Sequence, residues 1–248
     1  MIKRTLEIRK KTWLNKDTFA FELFLPGIKP LPGQFFQIQI NENMEPFLNR
    51  PISIASYEKG RLGLIIKVVG RGTEILSTKK PGEYLTLFGP FGHGVKLKSG
   101  KSLLLAGGIG VAPLYFLAQN LSQRGIPFTF LYGAKDPTQI ILRSQIEKLA
   151  NQSIFVTECG SRRKGTVVSA IKKIALSEYK NAYACGPQAM LRALQRLKLQ
   201  IKINAFCEDF LGCGCGLCLG CAIMYQGVYK RICEDGPVFE LGEIKFET

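Results

Sequence analysis

Six of the eight cysteines fall in the last fifth of this 248-residue chain, at positions 207, 213, 215, 218, 221 and 233. No other feature constrains the fold as tightly, because a segment this dense in thiols must close round disulfides or a metal centre. A secreted disulfide scaffold spreads its cysteines through the fold and follows an apolar leader. Here Met1-Ile2-Lys3-Arg4 runs straight into alternating, strand-like sequence. The cluster therefore reads as metal binding in a cytoplasmic protein. The single histidine, His93, excludes a Rieske centre, which needs two. It also argues against a His-dependent triad, for which His93 alone is available, and against an HExxH zinc site.

Spacing narrows the metal. Cys213-x4-Cys218-x2-Cys221, with Cys233 further on, has the C-x4-C-x2-C…C form of plant-type [2Fe–2S] ligation. Gly212 just before them and Gly214, Gly216 and Gly220 between them suit a loop that must aim several N–H groups at sulfur. Two rivals use the same residues. Cys215-x2-Cys218-x2-Cys221 begins like a bacterial [4Fe–4S] run, but Tyr225-Gln226 stands where Cys-Pro would complete it. Zinc also accepts four thiolates, although zinc ribbons pair two C-x2-C knuckles and only one is present. Cys207 and Cys215 are surplus to a four-ligand set and read as small packed side chains beside it.

Upstream, the pattern divides the chain into an α+β multidomain protein. Residues 1–97 alternate short runs such as Phe19–Leu23, Gln34–Ile40 and Leu62–Val68 with Gly/Pro turns, the signature of an antiparallel β-barrel or sandwich. From 98 to 203 strands alternate with helices, which predicts a doubly wound α/β domain. Helices are expected over Leu114–Leu121, Gln139–Leu149, Thr166–Leu176 and Pro187–Leu197. The cysteine-rich residues 204–248 form a third unit. Ser102 to Gln123 is uncharged and long enough for a membrane span. Its internal Gly107, Gly108, Gly110 and Pro113 instead predict buried strand, turn and helix.

Four short segments carry candidate binding residues. Arg50-Pro51-Ile52-Ser53 offers a guanidinium fork for a pyrophosphate and a hydroxyl. Gly70-Arg71-Gly72-Thr73 opens a helix, where backbone N–H groups suit phosphate. The turn Gly107-Gly108-Ile109-Gly110-Val111-Ala112-Pro113 lies between strand and helix, and Cys185-Gly186-Pro187 closes a later strand at the sheet edge that binds ligands. Each is weak alone.

In this order the segments resemble the ferredoxin–NADP reductase superfamily. With the CGxGxCxGC…CxDGPVF tail at Cys213–Cys221 and Cys233–Phe239, the whole chain resembles the electron transfer subunits of class 1B dihydroorotate dehydrogenases. The resemblance implies FAD, one [2Fe–2S] cluster and NAD. It places the flavin on Arg50, Pro51, Ile52, Ser53, Ile65, Ile66 and Lys67, with its pyrophosphate on Gly72 and Thr73. The nicotinamide falls to Gly107, Gly108, Gly110, Pro113, Cys185, Gly186 and Pro187, and the cluster to Cys213, Cys218, Cys221 and Cys233. It also implies an FMN-containing dihydroorotate dehydrogenase catalytic subunit as partner, two copies of each chain, and electron flow from FMN through the cluster and FAD to NAD⁺ in pyrimidine biosynthesis. No side chain of this chain need act as general acid or base.

Two departures stand out. Cys215 occupies a position that is commonly aliphatic in the family, and the Cys221–Cys233 loop is short. An alternative on the same frame is the small subunit of a bifurcating ferredoxin:NADP oxidoreductase, a sulfide dehydrogenase or a hydrogenase. In the bifurcating family Asp commonly stands where this chain has Cys213. A zinc-bearing nucleic-acid binder is suggested only by the net charge of +15, and pairs such as Lys10-Lys11, Lys79-Lys80 and Lys172-Lys173 are scattered rather than striped. Neither nucleic acid nor membrane is expected as a partner. Lys135, after the strand Phe128–Tyr132, could meet a 2′-phosphate, but the family prefers NAD. His93 is expected to be a plain loop residue.

Overall fold

The computed structural model describes residues 2–40, 45–160 and 163–246. Six antiparallel strands, β1 (Ile2–Trp13), β2 (Thr18–Phe24), β3 (Phe35–Ile38), β4 (Arg50–Glu58), β5 (Arg61–Lys67) and β6 (Tyr84–Phe91), close a barrel in the order β1-β2-β5-β4-β3-β6. Alternation sends Phe19, Phe21 and Leu23 of β2 and Leu62, Leu64 and Ile66 of β5 into the interior. Helix α1 (Arg71–Thr78) follows β5. The exception to one-sided burial is β3, in which all four residues are buried. Phe36 and Ile38 belong to the barrel core, whereas Phe35 packs in a cluster with Cys221 and Cys233 from the tail. By alternation Gln37 shares the outward face of Phe35.

The second sheet has the order β14-β11-β10-β7-β8-β9, where β14 is Val238–Glu240 from the tail. Strands β7 (Ser102–Gly107), β8 (Phe128–Ala134), β9 (Gln152–Thr157), β10 (Asn181–Cys185) and β11 (Ile203–Phe206) run parallel. Residues of β7, β8 and β10 are buried on both faces, as a helix-covered parallel sheet requires. The chain winds from β7 outward through β8 to β9, then returns to place β10 on the other side of β7. That is a topological switch point, and ligands bind there beyond the carboxyl ends of the strands. The Ser102–Gln123 segment forms β7, a tight turn and α2 (Val111–Gln123), not a span. Among the described residues no helix is long and apolar enough to cross a membrane.

Two helices are shorter than the periodicity predicts, for tertiary reasons. The Tyr132 hydroxyl donates to Gln139 O at 2.9 Å, and Leu142 adopts φ +57°, so α3 begins only at Arg143 and runs to Leu149. Helix α4 (Val167–Ile171) stops well before Leu176, tightening through Lys173 N–H to Ala170 O and Ile174 N–H to Ile171 O. The chain then returns to the sheet, where the buried Tyr179 hydroxyl donates to Thr129 Oγ1 at 2.8 Å. Helix α5 (Gln188–Arg196) lies close to its expected bounds.

The tail is laced into this sheet. Residues 204–206 complete β11, and β14 (Val238–Glu240) pairs antiparallel along its outer edge. The remaining tail makes a small sheet from β12 (Ala222–Tyr225), β13 (Val228–Arg231) and β15 (Ile244–Lys245), with helix α6 (Ile232–Asp235). Phe239 ties the two together, buried against Tyr225 with ring centroids 5.1 Å apart. Phe239→Ala is expected to destabilise the fold by about 3–5 kcal/mol, read as a lowered urea midpoint.

Candidate flavin, nucleotide and iron–sulfur sites

The structure brings the first two sequence segments together. Arg50 opens β4, and its guanidinium lies over the start of α1. A Cβ on Gly72 would meet Arg50 Nε at 2.4 Å. Arg50 is steered there by donating to the Leu48 carbonyl. The Thr73 hydroxyl is used within the turn. It accepts from Val69 N–H at 2.9 Å and Gly70 N–H at 3.2 Å and donates to Gly70 O at 2.8 Å. This segment therefore offers a pyrophosphate the N–H groups of the α1 start beside the Arg50 fork. Pro51 and Ser53 of β4 stand opposite Gln37 and Phe35 on the outward face. Ile52 is half-buried and opposite Phe36. Ile66 is buried in the barrel interior, so only its backbone faces outward, while Ile65 packs on the α/β domain. Lys67 ends β5 and pairs with Asp17 at 3.6 Å.

Lys67 also borders a groove of about 900 Å³ at the switch point. Gly107, Gly108, Gly110, Gly186 and Pro187 line it, facing Glu208 and β12. The glycines have different tasks. A Cβ on Gly110 would lie 2.4 Å from Cys185 O, and one on Gly186 would lie 3.0 Å from Gly107 Cα. These residues let the ends of β7 and β10 touch. Gly108, at φ +54°, has nothing within 4 Å of such a Cβ and faces the open groove. Pro113 is buried in the first turn of α2, away from the lining. Lys135 and Glu158 both line the groove. Exposed His93 uses its backbone N–H on Gly236 O at 2.7 Å.

Cys185 is fully buried, and its thiol donates to Glu208 Oε1 at 3.8 Å. Burial pushes this thiol well above its ordinary range, reinforced by the charges of Glu208 and Cys207. Glu208 is exposed as a residue, yet its Oε1 accepts from that buried thiol. The surrounding protein raises its pKa, and the Cys185 hydrogen bond opposes the rise. Sequence reading passed over Glu208 because a lone acidic residue carries no motif.

The cysteine loop presents two thiol pairs. Cys213 N–H points at Cys218 Sγ (3.5 Å) and Cys218 N–H at Cys213 Sγ (3.4 Å), while Cys221 and Cys233 sulfurs lie 3.3 Å apart. Cys215 N–H also reaches Cys213 Sγ at 3.4 Å, and Gly216 N–H reaches Cys233 Sγ at 3.1 Å. Arg231 clamps the loop, donating to Gly216 O at 3.1 Å while held by Glu234 at 2.7 Å and Asp235 at 3.3 Å. Burial alone would raise the Cys213 thiol, but N–H donors from Cys215, Cys218 and Leu217 and the Cys218 side chain bring it down to about 6. Burial and neighbouring Cys221 push Cys233 up to about 12. Two pairs of thiols with N–H groups aimed at sulfur fit a two-iron cluster, with two thiolates for each iron. Cys215 is half-buried and packs against the core that holds Cys221 and Cys233.

One buried amide has no partner. Gln37 is 1% exposed, and neither its Nε2 nor its Oε1 makes a hydrogen bond. Such groups cost roughly 1–3 kcal/mol each. A Cβ on Gly214 would lie 2.7 Å from Gln37 Nε2, so this amide is pressed against the cysteine loop.

Comparison with known proteins agrees with this layout. Residues 5–95 match the oxidoreductase FAD-binding domain, 104–196 the oxidoreductase NAD-binding domain, and 208–245 the iron-sulfur cluster binding domain of dihydroorotate dehydrogenase B. The dihydroorotate dehydrogenase B (NAD(+)) electron transfer subunit of Desulforamulus reducens is 36% identical over 245 residues, covering 93% of this chain and 94% of its own. The corresponding subunit of Bacillus cereus (strain B4264) is 35% identical over 224 residues, covering 86% of each. The chain belongs to the family of dihydroorotate dehydrogenase B electron transfer subunits. An NADH-dependent reduced ferredoxin-NADP oxidoreductase studied for flavin-based electron bifurcation superposes with a TM-score of 0.88 at 27% identity, covering 97% of this chain and 89% of that one. A Neisseria gonorrhoeae ferredoxin NADP⁺ reductase shares the fold, with a TM-score of 0.70 at 16% identity over 82% of this chain and 98% of that one. Within the family frame the barrel, the α/β sheet and the cysteine loop correspond to FAD, NAD and iron–sulfur binding units.

Two outcomes follow. Gly110→Ala pushes a methyl into the Cys185 carbonyl and is expected to destabilise by about 1–3 kcal/mol, with weakened nucleotide binding by calorimetry. In the apo-protein near pH 7, iodoacetamide is expected to modify Cys213 while Cys185 and Cys207 stay unmodified until unfolding, as followed by peptide mass spectrometry.

Proposed function

We propose that this chain is the electron transfer subunit of an NAD-dependent dihydroorotate dehydrogenase in the cytoplasm, serving pyrimidine (UMP) biosynthesis. An FMN-containing catalytic chain oxidises dihydroorotate, and this chain conveys the electrons to NAD⁺. The assembly is a heterotetramer of two of each chain. The single observation that carries the reading is the paired-thiol loop seated on β3, next to the strand that begins Arg50-Pro51-Ile52-Ser53.

The bound groups supply one-electron relay at the [2Fe–2S] cluster and two-electron hydride exchange between FAD and nicotinamide. The chain holds and insulates them. Cys213 with Cys218, and Cys221 with Cys233, ligate the cluster. Arg50 and the α1 start at Gly72 and Thr73 take the FAD pyrophosphate. Pro51, Ile52, Ser53, Ile65, Ile66 and Lys67 border the ring. Gly107, Gly108, Gly110, Gly186 and Pro187, backed by Pro113 and Cys185, form the nicotinamide side of the groove. Lys67 ends β5 and lines the groove, so it stands where the two bound groups would meet. Residues 1–97, 98–203 and 204–248 are the three functional units, with 204–206 serving structurally in the second. Exposed Leu217 and Leu219 flank exposed Cys218 in sequence and, with exposed Phe210 of the same segment, give the partner chain apolar surface to seat on.

The likeness to the bifurcating oxidoreductase supports a second reading, a small FAD and [2Fe–2S] subunit exchanging electrons with NADP. The higher identity to the dihydroorotate dehydrogenase subunits and a thiol at Cys213 favour the first. An anaerobic visible spectrum of the chain co-purified with an FMN-containing dihydroorotate dehydrogenase chain separates them. Flavin and iron–sulfur absorption that bleaches with dihydroorotate supports the first reading. Bleaching only with NADH or NADPH favours the second, and a colourless protein with stoichiometric zinc overturns both. Cys233→Ser is expected to abolish the iron–sulfur absorption while keeping the flavin. Arg50→Ala is expected to weaken FAD binding about 10–100-fold, measured by flavin fluorescence.

A further inference from the structure

Among the described residues Gln37 is the side chain whose amide nitrogen and oxygen are both buried and both unpartnered. Its neighbours on β3 are Phe35, Phe36 and Ile38, so an apolar residue of similar size would fill the position without orphaning a polar group. A buried polar group held without a protein partner points to a ligand that completes it. The direction of the side chain says which one. Gln37 lies on the outward face of β3, and its Cγ and Nε2 both come within 2.7 Å of where a Cβ on Gly214 would sit. Gly214 adopts φ +72° and separates Cys213 from Cys215. The loop already turns N–H groups of Cys215, Gly216 and Cys218 toward sulfur. The Gln37 amide would add a side-chain donor to that set, from a different domain.

We propose that Gln37 Nε2–H donates a hydrogen bond to a sulfur of the iron–sulfur centre held by Cys213, Cys218, Cys221 and Cys233, and thereby raises its reduction potential. A donor to sulfur stabilises the more negative, reduced cluster more than the oxidised one. Gln37 stands opposite Pro51 in the strand that carries the flavin residues, so the barrel sets the potential of the centre that feeds it. This inference rests on the [2Fe–2S] reading above.

The test is an anaerobic redox titration of the intact two-chain complex, following the cluster by electron paramagnetic resonance and the flavins by absorbance. Gln37→Leu is the principal variant, and Gln37→Met, which keeps the side-chain length, guards against misfolding of the first. The expected result is a cluster midpoint potential below wild type in both, an unchanged FAD midpoint, and a melting temperature no lower than wild type. A cluster potential equal to wild type overturns the proposal and leaves Gln37 as packing. A shifted FAD potential with an unmoved cluster also overturns it and assigns the amide to the flavin. A wild-type complex that shows no [2Fe–2S] resonance on reduction overturns the underlying reading as well, which separates the two failures.

Discussion

The burial of β3 on both faces is the constraint on which the rest of the molecule depends. A barrel strand ordinarily hides one face and wets the other. Here Phe36 and Ile38 fill the barrel, while Phe35 and Gln37 are covered by the chain segment that holds Cys221 and Cys233. That contact sets the cysteine loop against the strand neighbouring Arg50-Pro51-Ile52-Ser53. Without it the tail would meet the barrel unit through fewer contacts, such as His93 N–H to Gly236 O, and the distance between cluster and barrel would be less firmly set. Electron transfer over a fixed gap needs the gap held by packing, and Phe35, Leu211, Cys221 and Ile232 in one buried cluster hold it.

The second tether is β14. By adding to the outer edge of β11 it covers an otherwise open strand edge, and it positions Phe239 beneath Tyr225 of the small sheet. The cysteine unit is therefore too small to need a core of its own, because it borrows one from each neighbour. The metal-binding loop itself is ordered by polar contacts: Arg231 bridges Gly216 O to the carboxylates of Glu234 and Asp235, which follow Cys233. Packing fixes where the loop sits, and this partly exposed network fixes its shape.

The electrostatics divide the thiols by task. Cys213 receives several hydrogen bonds and stands near the surface, so its thiolate is accessible. Cys185 and Cys207 are buried and held neutral. A neutral thiol at the end of β10 can donate to Glu208 without adding a second charge beside the groove. The high net charge has no single seat, and it suits a chain that binds two dinucleotides.

Much of the architecture was legible in the residues. Period-two runs before residue 97 and strand–helix alternation after it announced a barrel and a doubly wound sheet, and the observed sheet orders agree. The C-x4-C-x2-C…C spacing singled out four thiols that the structure brings into two pairs, and Arg50 and Gly72, separated in sequence, meet at the start of α1. What remained hidden depended on contacts between distant segments. Periodicity began α3 too early and carried α4 too far, because Tyr132 holds Gln139 outside α3 and Tyr179 draws the chain back to the sheet after α4. The alternation that marked Gln34–Ile40 as a strand could not show that its outer face is buried, and nothing in the sequence drew attention to Gln37. Local pattern determined which elements form and which residues bear the chemistry. Only tertiary packing decided what lies against them, because burial of a second face is a property of two segments and is written in neither alone.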